Sequence, residues 1–372
     1  MIKIHRTIEQ FTLMLFLPSV AIASTASDFS VSTSIESYYE LSSPSKIYIW
    51  ENKRVEGTTP NGRTVPTDFF LTCFSESDFD NGACPPLPTW GGGGRSNGYN
   101  ISLAFYEKNT HLKHVAIIDT IKYASSCGQT ITGIGVAAGC YWGNLVYNMY
   151  ITSSELKKFP VGGVWSAHLR LRTGQWHGGP GSVDPGWPGF MSAEWKADIT
   201  LNVIDNKNIH IWFPLSHSGT TNVVMPITPA YWALNKPNVV TSEKTIDACL
   251  YDGYSNNSKT FKITFNSNNV DRVSGDFILR NNLNPEKSTL PYQVIVASPG
   301  SSDTVQSVKP GVQLSYSGIN LTGSRQVMIP GLHAPVACIP WPIKIKLKPF
   351  NLSKQQAGHY TGTLDLIFTP SL

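Results

Sequence analysis

Four carboxylates, Asp78, Asp80, Asp184 and Glu194, are the residues of this 372-residue chain that come nearest to a reactive set. Two carboxyl groups on either side of a glycosidic bond suffice for hydrolysis, one as acid and the other as base or nucleophile. A chain of this size contains such pairs by chance. No H-E-x-x-H, G-x-S-x-G or Walker A sequence accompanies them, and the nine His do not fall at metal-ligand spacings. His168, in the pattern Ala167–Arg172, reads as a solvent-facing strand residue. No cofactor or metal is expected, and an exported carbohydrate-active enzyme is the minor alternative. The 29 basic and 25 acidic residues are spread without blocks, for a net charge of +4. A nucleic-acid binder concentrates Lys and Arg in one stripe or tail, so that class is excluded.

Cysteine chemistry is oxidative here. Cys73, Cys84, Cys127, Cys140, Cys249 and Cys338 form no C-x-x-C, which argues against zinc and thioredoxin-like sites. Lys3 and Arg6 precede an apolar run, Phe11–Ala23, that ends in Ala21-Ile-Ala23 and is too short to span a bilayer. Residues 1–23 therefore read as a signal peptide, and no later stretch reads as an anchor. An even cysteine count in an exported chain reads as disulfides. Four cysteines lie in the first half and two in the second, which leaves three connectivities if the halves are separate domains. Sequence-local pairing is the simplest of these.

Elements of period two must position whatever function the chain has. Ile101, Leu103 and Phe105 alternate with polar or smaller residues, as do Ile199, Leu201 and Val203. Phe261–Phe265 and Ile343–Lys348 repeat the pattern, which marks half-buried strands. Turn clusters at Asp80–Gly82, Gly91–Gly94 and Ser255–Ser258 separate such segments. Ser153–Lys158 alone reads as a helical turn, capped by Ser153 or Ser154. Charged residues are only 15%, against about 25% in an average soluble chain. Many short strands plus disulfides point to an all-β chain of β-sandwiches, divided at the polar gap Asp205–Asn208.

Phe159-Pro-Val-Gly-Gly-Val-Trp165, Ile204–Pro214, Asp247–Ser258, Ala357–Ser371 and Asn81-Gly-Ala-Cys-Pro85 closely resemble stretches of the CblD-like minor pilins, the tip adhesins of class 5 fimbriae. The matches run in order from about Cys73 to the last residue. The resemblance implies two immunoglobulin-like β-sandwiches in tandem. They are an adhesin domain over 24–205, a linker at Asn206–Lys207 and an incomplete pilin domain over 208–372. It also implies the bridges Cys73–Cys84, Cys127–Cys140 and Cys249–Cys338. The expected partners are a periplasmic chaperone, an outer-membrane usher, a major pilin that donates a strand, and a host-cell glycan or protein receptor.

By alternation alone, Gly358–Pro370 is an ordinary last strand with Tyr360, Leu364, Leu366 and Phe368 on one face. The resemblance makes it the edge of a groove that a donated strand fills. The same resemblance implies a basic receptor cluster, but its arginine positions fall on Asp68, Gln175 and Trp176 here. In its place stands Thr173–Ser192, read as a long loop carrying Trp176, His177, Trp187 and Phe190. Those aromatics form either a small satellite core or a binding platform, with Arg170 and Arg172 as charged neighbours. The function expected is a fimbrial tip protein, exported through the periplasm to the cell surface, that initiates pilus assembly and adheres to host cells. An assembly initiator without receptor binding is the alternative.

Overall fold

The computed structural model describes residues 29–56, 69–91, 97–124, 128–137, 145–177, 186–230, 238–301, 305–319, 321 and 323–371. The leader 1–23, Asp68, residues 92–94, Asp184 and the pair Cys127–Cys140 lie outside them.

The first half is built from β1 (Val31–Glu40), β2 (Ile47–Arg54), β3 (Phe69–Thr72), β4 (Thr89–Trp90), β5 (Ile101–Glu107) and β6 (Lys113–Ala124). It continues through β7 (Gln129–Thr132), β8 (Val136–Ala137), β9 (Leu145–Ile151), helix α1 (Ser153–Leu156), β10 (Gly163–His177) and β11 (Trp187–Ile204). Among the described residues, one sheet runs in the order β1-β11-β10-β5-β6-β9-β2, with β3 on β10 and β7 on β6. The alternation read from the sequence is what orients it. Ile101, Leu103 and Phe105 are fully buried, as are Leu201 and Val203, while Ser102 between them is only half-buried and Ala104 and Asn202 are covered as well. Strand β1 runs parallel to β11, from Val31 opposite Trp195 to Glu40 opposite Ile204. Its successor β2 lies at the far end of the sheet, yet the Trp50 indole N–H donates to Thr33 Oγ1 at 2.9 Å. The sheet therefore folds over on itself around a core that holds Trp165 and Trp195.

Helix α1 is the single turn expected, but its cap is Thr152, whose Oγ1 accepts the Glu155 N–H. Thr152 is still extended (φ −71°, ψ 157°), the conformation a capping residue needs, whereas Ser153 is already helical.

A 3-10 turn, Asn206–Asn208, follows. The second half comprises β12 (His210–Trp212), β13 (Thr228–Pro229), β14 (Val239–Ile246), β15 (Cys249–Tyr251), β16 (Thr260–Asn266), β17 (Phe277–Asn281) and β18 (Thr289–Val296). The remaining strands are β19 (Gln306–Val308), β20 (Gln313–Ser317), β21 (Arg325–Val327), β22 (Val336–Pro340), β23 (Ile343–Asn351), β24 (Tyr360–Thr361) and β25 (Asp365–Ser371). They form three sheets among the described residues. A seven-stranded one runs β13-β14-β23-β18-β17-β24 with β19 on β18, and the others are β20-β16-β25 and β12-β15-β22-β21.

The last of these sheets serves two cores at once. Trp212, Cys249, Tyr251, Val336 and Cys338 join the apolar cluster of the first half. Their neighbours Phe213, Ala248, Leu250 and Ile339 join that of the second. Successive residues of a strand point to opposite faces, so one sheet can wall both cores. Polar contacts close the same junction. The Asp205 N–H donates to the Gly253 carbonyl at 2.9 Å, Asn109 Nδ2 to the Ser255 carbonyl at 2.6 Å, and Gln326 Nε2 to the Thr110 carbonyl at 3.2 Å. The Tyr254 hydroxyl donates to Asn202 Oδ1. Gly253 sits at φ +70°, where a Cβ would collide with the Asp205 carbonyl. Only glycine permits that approach.

Candidate functional site

The segment Thr173–Ser192 is not the long loop read from its Gly and Pro content. Strand β10 continues to His177 and β11 begins at Trp187, in a register that pairs Gln175 with Gly189, Trp176 with Pro188 and His177 with Trp187. A bulge between Arg172 and Gly174 admits the glycine, whose missing Cβ makes room for the Phe70 ring. Cross-strand pairing outweighs local Gly and Pro content once both strands have partners.

This hairpin sorts the candidate residues. Trp176 is half-buried and stacks on Trp90 with centroids 5.6 Å apart, and its indole N–H is buried without a hydrogen-bond partner. Gln175 is half-buried beside it, and the backbone of His177 closes the register. Trp187, by contrast, is 55% exposed.

Arg170 is committed to Glu194, with Nε and Nη2 both within 3.2 Å of the carboxylate, and Lys196 Nζ lies 3.2 Å from the same group. Partial desolvation pushes the Glu194 carboxyl up. The hydrogen bonds from Arg170 and Lys196 outweigh it and hold the group below the usual carboxylate range. Arg172 differs. Its guanidinium lies 3.7 Å from the Phe190 ring centroid and 5.7 Å from that of Phe74, and it makes no ion pair or hydrogen bond among the described residues. Phe74 follows Cys73, which is bridged to Cys84, and the loop is pinned to β10 by the Arg170 N–H donating to the Asn81 carbonyl. The sequence offered no functional signal for Phe74 beyond its place next to a bridged cysteine.

Of the carboxylates first singled out, the three among the described residues are each engaged with separate partners. Asp80 accepts from Tyr106 and Lys113, which hold it below its ordinary range. Asp78 closes a turn with Asn81, and Glu194 serves Arg170. His168 is exposed and bonded to Asp198.

At the other end of the chain, Gly358–Pro370 is not one strand. Tyr360 belongs to β24, which pairs with β17, whereas Leu366 and Phe368 belong to β25, which pairs with β16. The chain changes sheets at Gly362–Leu364, where a Cβ on Gly362 would press on Leu279 at 3.0 Å. All four apolar residues still meet the second core, each half-buried. Strand β25 has a partner on one side only among the described residues. A second unpaired length borders the same core. Residues 221–227 alternate half-buried Thr221, Val223 and Met225 with exposed Asn222, Val224 and Pro226. Their backbone makes no hydrogen bond among the described residues, although Met225 packs on the core. The bridge Cys249–Cys338 lies behind, in the shared wall.

Comparison with known proteins agrees in both halves. The profile for the first domain of the CFA/I fimbrial protein CfaE matches residues 19–206, and that for its second domain matches 209–372. CfaE of Escherichia coli is 26% identical over 308 residues, covering 80% of this chain and 79% of that protein. The crystal structure of CfaE, the adhesive subunit of CFA/I fimbria of enterotoxigenic Escherichia coli, superposes with a TM-score of 0.69 at 23% identity. That match covers 93% of this chain and 94% of that one. A chaperone–tip adhesin complex vital for synergistic activation of CFA/I fimbriae biogenesis gives 0.64 at 23% identity, covering 93% and 98%. Two all-β domains, in this order and over this length, make the chain a member of the CfaE family of CFA/I fimbrial proteins, a fimbrial component and not an enzyme.

Proposed function

We propose that this protein caps a fimbrium at the cell surface, its second domain accepting a strand from the first major pilin and its first domain binding a host-cell receptor. The observation that carries this reading is the pair of unpaired edges, β25 and residues 221–227, on the second core. An extended segment laid along them would gain main-chain hydrogen bonds and cover Tyr360, Leu364, Leu366 and Phe368. Until it arrives, a free edge beside half-buried apolar side chains is an aggregation hazard, which a periplasmic chaperone would cap and an outer-membrane usher would exchange. A folded domain, rather than a free extended segment, precedes the pilin domain, so the protein accepts a strand without donating one. Such a component starts a fibre. The division into 24–205 and 208–372, joined through Asn206–Lys207, follows from the same reading.

Fusing the N-terminal extension of the major pilin to the C-terminus of the full chain tests this. The fusion places the added strand directly after β25. A stabilisation of ~3–5 kcal/mol, or about 10 °C in the melting of the second domain, is expected. An unchanged melting temperature would show the sandwich to be complete. Receptor binding is tested apart from assembly, by binding of the purified strand-complemented full chain to host cells. Absence of binding by the folded chain would leave the first domain a structural initiator.

A further inference from the structure

The two ends of the folded-over first sheet leave a cleft between them. Strands β1 and β2 follow one another in the chain, yet β1 pairs only with β11 and β2 only with β9 among the described residues. The cleft measures about 470 Å³, the size of a small-molecule site, with Ser34–Ser37 on one wall and Lys46–Tyr48 on the other. It is closed at both ends. The Trp50 indole N–H donates to Thr33 across one, and residues 41–46 cross the other as the chain passes from β1 to β2. The polar groups of the lining are held but not spent. Glu36 Oε1 accepts from Asn202 Nδ2 and from the Tyr38 hydroxyl, both at 2.9 Å, while Oε2 has no partner among the described residues. The Ser34 and Ser37 hydroxyls make no hydrogen bond among those residues either. The Lys46 ammonium makes no ion pair there and rests on two rings, 4.3 Å from the Tyr150 centroid and 5.5 Å from that of Tyr48.

We infer that the cleft between β1 and β2 is a binding site for a neutral saccharide. The site is separate from the β10/β11 hairpin, and it holds whether or not the protein starts a fibre. A sugar ring carries hydroxyls that donate and accept around its edge, and C–H groups on its faces. The cleft answers with a carboxylate that accepts, an ammonium that donates, two serine hydroxyls that do either, and the apolar surface of Ile47 and of Tyr48, which is 36% exposed. Glu36 and Lys46 are both positioned before a ligand arrives, which lowers the entropy lost on binding. Their charges balance across the walls, so an acidic sugar meets Glu36 and a cationic ligand meets Lys46, at a cost that a neutral sugar avoids. Burial and Glu155 push the Asp119 carboxyl up and Lys46 pulls against them, so a second carboxyl stands near the ammonium and further disfavours an acidic ligand. An extended peptide fits less well. Only four residues of β1 wall the cleft, roughly 13 Å of strand at ~3.3 Å per residue, and register shifts in β2 break the ladder that a guest strand needs.

The experiment presents the full chain to immobilised glycans ending in neutral hexoses or N-acetylhexosamines, each beside its sialylated and sulfated forms. At least one neutral glycan should bind, at least tenfold more tightly than its acidic forms, with an affinity that changes little as salt is raised. Lys46→Met, which removes the ammonium and keeps an apolar stem over Tyr150, should lose at least tenfold with the melting temperature unchanged. Glu36→Gln should lose a similar factor, since its amide oxygen still accepts from Asn202 while the charge that takes a sugar hydroxyl is gone. Should either variant fail to fold, Ser34→Ala removes one exposed hydroxyl that the fold does not use and should still lose several-fold. Unchanged affinity in all the variants, preference for the acidic forms, binding of phosphocholine or an unglycosylated peptide in place of a sugar, or binding to no glycan would each overturn the inference. Host-cell binding by a chain that takes no neutral glycan would overturn the cleft alone and leave the adhesin reading. Glycan binding that is lost in Lys46→Met, in a chain that binds no host cell, would support the cleft and overturn the adhesin reading.

Discussion

Around the forty buried apolar residues of the first core, eight half-buried ones form the rim among the described residues. Around the seventeen of the second there are twelve. Strand alternation builds both, so the difference lies in how each is finished. In the first, the ends of a folded-over sheet are joined by the Trp50–Thr33 hydrogen bond, and a sheet from the second half supplies a further wall. In the second, the rim includes Met225, Tyr360, Leu364, Leu366 and Phe368, beside edges that nothing pairs among the described residues. Completing the burial of one such side chain is worth up to about 1.5–3 kcal/mol. A core can thus be well packed at its centre and still be open along one side.

The contrast can be broken most severely at Trp341. It is fully buried, donates its indole N–H to the Ala297 carbonyl at 2.7 Å and packs on Phe265 and Tyr316. Trp341→Ala should cost about 3–5 kcal/mol and lower only the transition of the second domain in thermal melts of the strand-complemented chain. An equal fall in the first domain would mean the two cores melt as one.

The bridge in the shared wall sharpens the same question. Replacing Cys249 and Cys338 together by Ser should cost ~2–4 kcal/mol and lower both transitions, because the bridge belongs to the wall of the first core while closing a loop of the second. Calorimetry showing loss in the second domain alone would make the wall a passive contact.

The smallest effect is electrostatic and confined to the second domain. Asp276 is gripped by Lys309 at 2.8 Å and by Lys348, and these hydrogen bonds hold its carboxyl down to about 2. A carboxyl held lower in the folded than in the unfolded chain stabilises above its unfolded value near 4, and that stability is lost as pH falls through about 2. Asp276→Asn should therefore cost roughly 2 kcal/mol at pH 7 and only about 0.4 kcal/mol at pH 2. Urea melts at the two pH values give the comparison, and a cost independent of pH would assign the loss to packing.

Strand identity was legible wherever one face is wet. Phe261, Ile263 and Phe265 alternate cleanly because Lys262 and Thr264 between them meet water, and Ile101, Leu103 and Phe105 alternate with the smaller Ser102 and Ala104. The hairpin beyond Arg172 was not, since its glycines and prolines speak for a loop and only pairing with β3 and within the hairpin makes it sheet. The switch between sheets at Gly362–Leu364 was hidden for a related reason. Tyr360 and Phe368 share one core across two sheets, and alternation records burial without saying which sheet provides the backbone partner. Arg170 and Arg172 look equivalent two residues apart on one strand face. Both guanidinium groups lie over Phe74, and only the location of Glu194 beside Arg170 and of Phe190 beside Arg172 separates them.

Translation gives the shared wall a further meaning. A ribosome releases β11 well before β15 and β22, the strands whose Tyr251, Val336 and Cys338 cover the first core. At ~5–20 residues per second, the gap lasts on the order of 10 s, during which the nascent first domain presents an uncovered apolar face. A chain cut short in that interval keeps the face exposed and becomes a substrate for proteases instead of a free domain. Completing the first domain is thereby made contingent on finishing the second, and a truncated message yields no separately folded first half.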